Sequence, residues 1–228
     1  MILTNLRALT RAMIPSAKLQ VVDNTTLDLI LNEGVKDIAA YTICLKSNKK
    51  FNVTAGQSEY NLSTALANYL TVDKSGLWWY NGSIWRPVYP KTLKWLDDNK
   101  PNWRSLGNGS PLHYTIDADI LTVSPTPETT LASGFWLYYG KTPIPMVAEG
   151  SYPFSGSTTE FTHLSIFDMA IIMYAKNKIS PMLNKDEDAN LSLQEYKRER
   201  EEKKIQLYMR KDIAHSNEAG LQGPMVRS

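Results

Sequence analysis

Residues 75–90 read SGLWWYNGSIWRPVYP, and the way this stretch folds decides the architecture around it. Three of the protein's six tryptophans fall here, on either side of Asn81-Gly82. Asn-Gly is a strong two-residue hairpin signal, because both central positions of a type I′ turn need positive φ and these residues tolerate it. Paired about such a turn, Tyr80 opposes Ser83, Trp79 opposes Ile84, Trp78 opposes Trp85 and Leu77 opposes Arg86. Side chains alternate along a strand, so Trp78, Tyr80, Trp85 and Pro87 share one face; Leu77, Trp79 and Ile84 share the other, with Arg86 at its edge. Both faces of the ribbon are apolar. One is expected to pack on its own domain, and the other to be covered by a helix or a neighbouring subunit.

Strand signals extend outward from the hairpin over residues 49–141. Phe51 and Val53 precede Ala55-Gly56, and Tyr60 and Leu62 follow it. Residues 69–72, 77–80, 84–87, 120–123 and 135–140 are short β-type runs bounded by turn residues. Residues 92–99 look like a short helix between them, and Gly107-Asn108-Gly109-Ser110-Pro111 a loop.

Helical periodicity holds at both ends. Leu3, Leu6, Leu9 and Met13 recur at helical spacing before Pro15. Thr25-x-x-Asp28 reads as a capping box opening a helix to about residue 44, with Leu27, Ile30, Leu31, Val35, Ile38 and Ala39 as its apolar face. Ser157-x-x-Glu160 reads as a second box, for a helix stopping before Pro181 whose stripe of Leu164, Phe167, Ile171 and Tyr174 widens until most of its circumference is apolar. Ser192-x-x-Glu195 reads as a third, for a helix reaching about Ile213. The expected fold class is α+β, a helical bundle from the N- and C-terminal segments with an inserted antiparallel β-domain. Its boundaries are 1–45 helical, 46–150 β-rich, 151–213 helical and 214–228 a flexible tail.

Composition excludes several functions. The 228 residues carry a formal net charge of +2, which gives no drive toward nucleic acid or an acidic membrane. Residues 185–212 hold eight basic and eight acidic side chains, so KREREEKK reads as a solvated face and not as a phosphate-binding arm. Cys44, the single cysteine, forbids an internal disulfide, fits a reducing compartment and reads as a buried thiol. The N-terminus lacks the pattern of a signal peptide, and no run is long enough to cross a bilayer, so a soluble protein without a membrane partner is expected.

No catalytic set emerges. There is no G-x-S-x-G elbow, H-E-x-x-H zinc helix or G-x-x-x-x-G-K-S/T phosphate loop. His113, His163 and His215 are scattered along the chain, and Asp117-Ala118-Asp119 reads as a turn more readily than as a weak cation site. Neither enzyme activity, a cofactor nor a metal is expected. The tryptophans can be read as a stacking platform for sugars or bases, but within residues 75–90 only Arg86 is basic, which disfavours nucleic acid. A protein interface is the stronger expectation, centred on Trp78, Trp79, Tyr80, Trp85, Arg86 and Tyr138; a carbohydrate-binding tail or surface module is the alternative.

The order FNVTAGQSEYNL, WWYNGSIWRPVYP, LHYTIDADILTVSPTP and FWLYYGKTPIPM, followed by a returning buried helix, resembles the adaptor, or head-to-tail connector, proteins of tailed bacteriophages. The resemblance covers residues 25–215. It implies a structural subunit of a closed homo-oligomeric ring, usually twelvefold, that joins the portal protein to tail or further ring proteins and lets double-stranded DNA pass without sequence specificity. It also implies a place at the head-tail junction of the virion, with assembly in the host cytoplasm. A family-like C-terminal reach onto the portal implies a docking role for residues 218–228, with Leu221, Pro224 and Met225 as contacts.

Overall fold

The computed structural model describes residues 1–14, 22–105, 107–183 and 186–220. Its elements fall into two compact units, one formed by described residues of Met1–Thr42 and Pro143–Ser228, the other by Ile43–Thr142.

The first unit holds helices α1 (Leu3–Ala12), α2 (Asn24–Thr42), α5 (Asp168–Met182) and α6 (Asp186–Gly220). The α2 face anticipated from the sequence is buried in full, from Leu27 to Ala39. Its start differs from expectation. Asp23 caps the helix by accepting from the Thr26 amide (2.7 Å), which frees Asp28 for a paired contact with Arg7 of α1 (2.5 and 2.6 Å). Gly34 lets α2 approach α5 closely: a Cβ there would lie 3.0 Å from the Tyr174 ring.

α5 packs against α1, α2 and α6, as its nearly all-round apolar surface requires. The Ser157/Glu160 box does not open it. Ser157 instead closes a local loop, accepting from the Tyr152 amide through its carbonyl (2.8 Å) and from the Thr159 amide through its hydroxyl (3.2 Å). A 3-10 turn, Thr162–Phe167, then leads into α5, and Pro181 sits inside its last turn rather than beyond it. α6 likewise starts before Ser192, which is fully buried, and continues past Ile213 to Gly220. Residues 214–219 include Ala, Glu and Asn but neither Gly nor Pro, so nothing stops the helix before Gly220. Leu9 of α1 faces outward, and Thr10 occupies the buried position in its place.

The second unit is a seven-stranded sheet with strand order β1-β7-β3-β4-β5-β6-β2. The strands are β1 (Lys46–Val53), β2 (Glu59–Asn61), β3 (Tyr69–Tyr80), β4 (Trp85–Pro90), β5 (His113–Asp117), β6 (Ile120–Ser124) and β7 (Leu131–Lys141); α3 (Leu62–Ala65) and α4 (Leu93–Asn99) lie between them. The sheet curls, because Phe51 of edge strand β1 meets Tyr60 of the opposite edge strand β2 at 5.9 Å between ring centroids. Inside the curl lie Val53, Leu77, Trp79, Val88, Tyr114, Leu121, Phe135, Leu137 and Tyr139.

Pairing is not wholly antiparallel. β4 and β5 run parallel, with Tyr89 opposite His113 and Pro90 opposite Tyr114. The 91–112 connection carries α4 and is long enough for the crossover that parallel strands require. Residues 69–72 and 77–80 belong to one strand, β3, whose register against β7 slips between Val72 and Leu77. There Gly76 takes φ +65°, a conformation that favours glycine.

The central hairpin also differs in register. Its pairs are Leu77 with Val88, Trp78 with Pro87, Trp79 with Arg86 and Tyr80 with Trp85, leaving a four-residue loop. Asn81 closes that loop: its side-chain oxygen accepts from the Ser83 and Ile84 amides (3.1 and 2.9 Å), and its own amide donates to the Ile84 carbonyl (3.2 Å). The shift is by two positions, and the strand period is two, so the residues that remain in the strands keep the faces expected of them. Ile84, expected opposite Trp79 on the inner face, instead falls in the loop and is exposed.

Candidate functional site

The outward face of β1, β7, β3 and β4 carries Lys50, Trp136, Tyr138, Trp78, Tyr80, Trp85 and Pro87. Direct pairing puts Lys50 opposite Trp136, Trp136 opposite Trp78, and Trp78 opposite Pro87, forming one row across four strands. Neighbouring rings touch: Tyr80 and Trp85 at 5.1 Å, Trp85 and Trp136 edge-on at 5.6 Å, Trp136 and Tyr138 at 5.0 Å. Ser75, Trp78, Trp85, Trp136 and Tyr138 line a shallow groove of about 420 Å³. These rings are half-buried.

Polar anchors fix the rings. The Trp136 indole donates to Asn48 (3.1 Å), one strand away, and the Trp78 indole donates to the Ser75 carbonyl (3.0 Å). With each N–H satisfied at a ring edge, the faces stay available for contact. The Lys50 ammonium sits 5.0 Å from the centroids of both Trp85 and Trp136, a cation–π arrangement that places positive charge at the rim of an apolar groove.

Beneath the groove, Asp73 holds the Ser75 turn. Its carboxylate accepts from the Ser75 amide (3.1 Å) and pairs with Lys46. Burial pushes the Asp73 carboxyl upward, but hydrogen bonds from Lys46 and Ser75 outweigh this and hold it below the usual carboxylate range. Lys46, Asp73, Ser75 and Trp78 thus form a continuous chain from β1 to the groove wall.

The residues singled out from sequence divide accordingly. Trp78, Tyr80, Trp85 and Tyr138 meet on the outward face, and Arg86 is exposed on β4. Trp79 does not join them: it is 2% exposed, packed against Phe135 at 5.4 Å inside the curl, because its position is odd where Trp78 and Tyr80 are even. Leu221, Pro224 and Met225 lie outside the described residues. Asp117 and Asp119 sit at the tight β5-β6 turn, where Ala118 takes φ +51°. His113 stacks on Trp95 (5.3 Å); burial, with Lys91 and Lys100 nearby, lowers its pKa. Cys44 is buried. Among the described residues no group of three His, Cys, Asp or Glu could hold a metal, and no helix is long and apolar enough to cross a membrane.

Sequence reasoning missed Lys50 and Trp136 as groove members. The alternation of FWLYYG gives the signal, since it puts Trp136 with Tyr138; only the β1-β7 register adds Lys50. Arg200 was also hidden within the charged run. It reaches Asp37 of α2 (2.6 Å) and lies 3.7 Å over the Tyr41 ring, while Tyr196 donates to the same Asp37, so the KREREEKK run has an inward member.

A surface made of rigid aromatic rings with a lone cation, and without a nucleophile, base or metal set, is equipped for contact. A protein-family model described as SU10 adaptor protein matches residues 2–224, nearly the whole chain. The chain matches no curated protein. The family is a structural one and not an enzyme family. The chain belongs to the SU10 adaptor proteins, tailed-bacteriophage adaptors that are structural components of the virion.

Proposed function

We propose that the chain is one subunit of a closed ring, twelvefold as in the connectors it resembles, that joins the portal to the tail and surrounds the DNA passage. In this arrangement the two ends of the chain form a helical bundle carrying the β-rich unit, residues 43–142, between them. The observation that carries the proposal is the outward aromatic face, a set of large apolar rings held in place by Asn48, Ser75 and Asp73 but only half-buried in its own unit. Rings close through heterologous contacts, in which one patch of each subunit meets a different patch of the next. A formal charge of +2 suits a wall along which DNA slides, since tight phosphate binding needs many more cations. Residues 218–228, with Leu221, Pro224 and Met225, are assigned to portal docking.

The second reading is a sugar-binding module, since a sugar could stack on the same half-open rings beside Lys50. Imaging of assembled particles with the chain located in them, together with its mass in solution, tests the ring. A single copy that binds glycans and never a portal would overturn it. Deleting residues 221–228 should leave folding intact and weaken portal attachment; unchanged attachment would remove the tail from that role.

A further inference from the structure

The groove has a chemical complement on the same chain. Between β7 and the 3-10 turn, residues 143–149 read PIPMVAE and cross the surface of the first unit. Ile144 is 52% and Val147 84% exposed, and the Glu149 side chain is 82% exposed. Such exposure usually accompanies loose chain, but this segment is clamped. The Asn32 amide group bonds both ways to the Met146 backbone, donating to its carbonyl (3.1 Å) and accepting from its N–H (2.8 Å). The Met146 side chain is buried, the Ala148 amide donates to Ser151 (3.2 Å), and Thr4 donates to the Glu149 carbonyl through its amide (3.3 Å) and hydroxyl (3.1 Å). Pro143 and Pro145 fix φ on either side of Ile144. Ile144, Pro145 and Val147 are therefore presented outward in a set geometry, so docking them costs little further chain ordering.

Proline-stiffened apolar segments are a kind of ligand that aromatic-lined grooves take up, because a rigid ridge packs on ring faces at low ordering cost. Charge agrees as well: the groove carries Lys50 at its rim, and the segment ends in Glu149, an exposed side chain whose only ion pair within the described residues is a long one to Arg7 of α1 (3.8 Å). We propose that residues 143–149 of one copy seat in the Trp78/Trp85/Trp136/Tyr138 groove of the next copy, with Ile144, Pro145 and Val147 on the rings and Glu149 against Lys50. Groove and segment are different patches, so the contact is heterologous and repeats around a ring. The inference rests on the ring proposed above, since a second copy supplies the segment.

Charge exchange in the full chain tests it. Sedimentation over a concentration range reads association in solution, and carbodiimide coupling of mixed isotope-labelled and unlabelled copies in assembled particles reads the Glu149–Lys50 contact between copies. Lys50→Glu and Glu149→Lys should each weaken association at least tenfold, the double variant should return it to within threefold of the wild type, and Val147→Asp should weaken it at least tenfold. Circular dichroism and the thermal midpoint check that each variant folds. If copies form a ring but these variants associate like the wild type, or the coupled peptides join other residues only, the segment-groove contact is wrong and the ring stands. A chain that is a single copy both in solution and in the particle overturns both. Protection of the groove in the particle by a different protein, with association between copies unaltered, also overturns the contact.

Discussion

Two faces of one sheet make the sharpest comparison in this protein. β7 and β3 send Phe135, Leu137, Tyr139, Leu77 and Trp79 one way and Trp136, Tyr138, Trp78 and Tyr80 the other, so the same strands make both surfaces with similar residue types. The inward rings form a closed cluster: Phe135 meets Phe51 at 5.5 Å, Tyr60 edge-on at 5.3 Å and Trp79 at 5.4 Å, drawing on strands from both edges of the curl. The outward rings meet only neighbours in the same layer. Curling in one direction supplies an opposite wall to one face alone. Aromatic content therefore does not separate core from interface here, whereas the direction of curl does.

The largest effect should come from the closed face. Phe135→Ala removes the ring that joins Phe51, Tyr60 and Trp79, and should cost about 3–5 kcal/mol, as large buried aromatics do. Urea unfolding followed by tryptophan fluorescence measures it. A loss below about 1 kcal/mol would mean that the cluster repacks easily and that the two faces differ less than their burial says.

Asp73→Asn comes next, because it acts on the link between the faces. It removes a charged acceptor shared by Lys46 and the Ser75 amide, worth about 1.5–3 kcal/mol for hydrogen bonds to a charge, and loosens the turn that holds Trp78. Its pH signature has a defined sign. The folded carboxyl lies below its unfolded value of about 3.9, so its contribution is present above that value and disappears as pH falls through the folded one. Stability of the wild type should drop on that acid limb, and the variant should show a shallower drop. Identical acid limbs would remove Asp73 as a support of the groove.

How much of this was legible in the sequence depends on the range of the interaction that decides it. The outward set of Trp78, Tyr80, Trp85 and Pro87 follows from alternation alone, and it survives a register shift of two because the period is two. The register itself was misread: Asn81-Gly82 suggests the shortest turn, but the Asn81 side chain captures the Ser83 and Ile84 amides and closes a longer loop. The parallel β4-β5 pair and the meeting of Phe51 with Tyr60 depend on contacts between distant residues, for which no local pattern exists. Capping boxes failed for a related reason. Asp28 pairs with Arg7 of another helix, Ser157 is taken up by a local loop through Thr159 and Tyr152, and Ser192 is buried within its helix. Each has the right spacing while other contacts compete for its polar group.

Gly82→Ala tests the longer loop and should have a smaller effect. Gly82 takes φ +93° with open space around its Cα, so an added methyl meets no neighbour and only the backbone is strained, at about 1–2 kcal/mol. Denaturant midpoints read the loss, and backbone amide shifts should confine the change to residues near the loop. Disturbance spreading to Trp79 would show that the turn sets the position of the closed face as well as the open one.

The smallest change in stability should follow Trp85→Ala on the open face. Trp85 touches Tyr80 and Trp136 and lies under Lys50, all within the outward layer, and nothing from the opposite wall rests on it. Its loss removes aromatic pairs at a half-buried site, so no more than about 1 kcal/mol is expected. The same substitution strips one wall from the groove, and assembly should respond where folding does not. Unfolding and association measured on one preparation separate the two outcomes. A stability loss matching that of Phe135→Ala would erase the distinction between the faces and make the outward rings a second core.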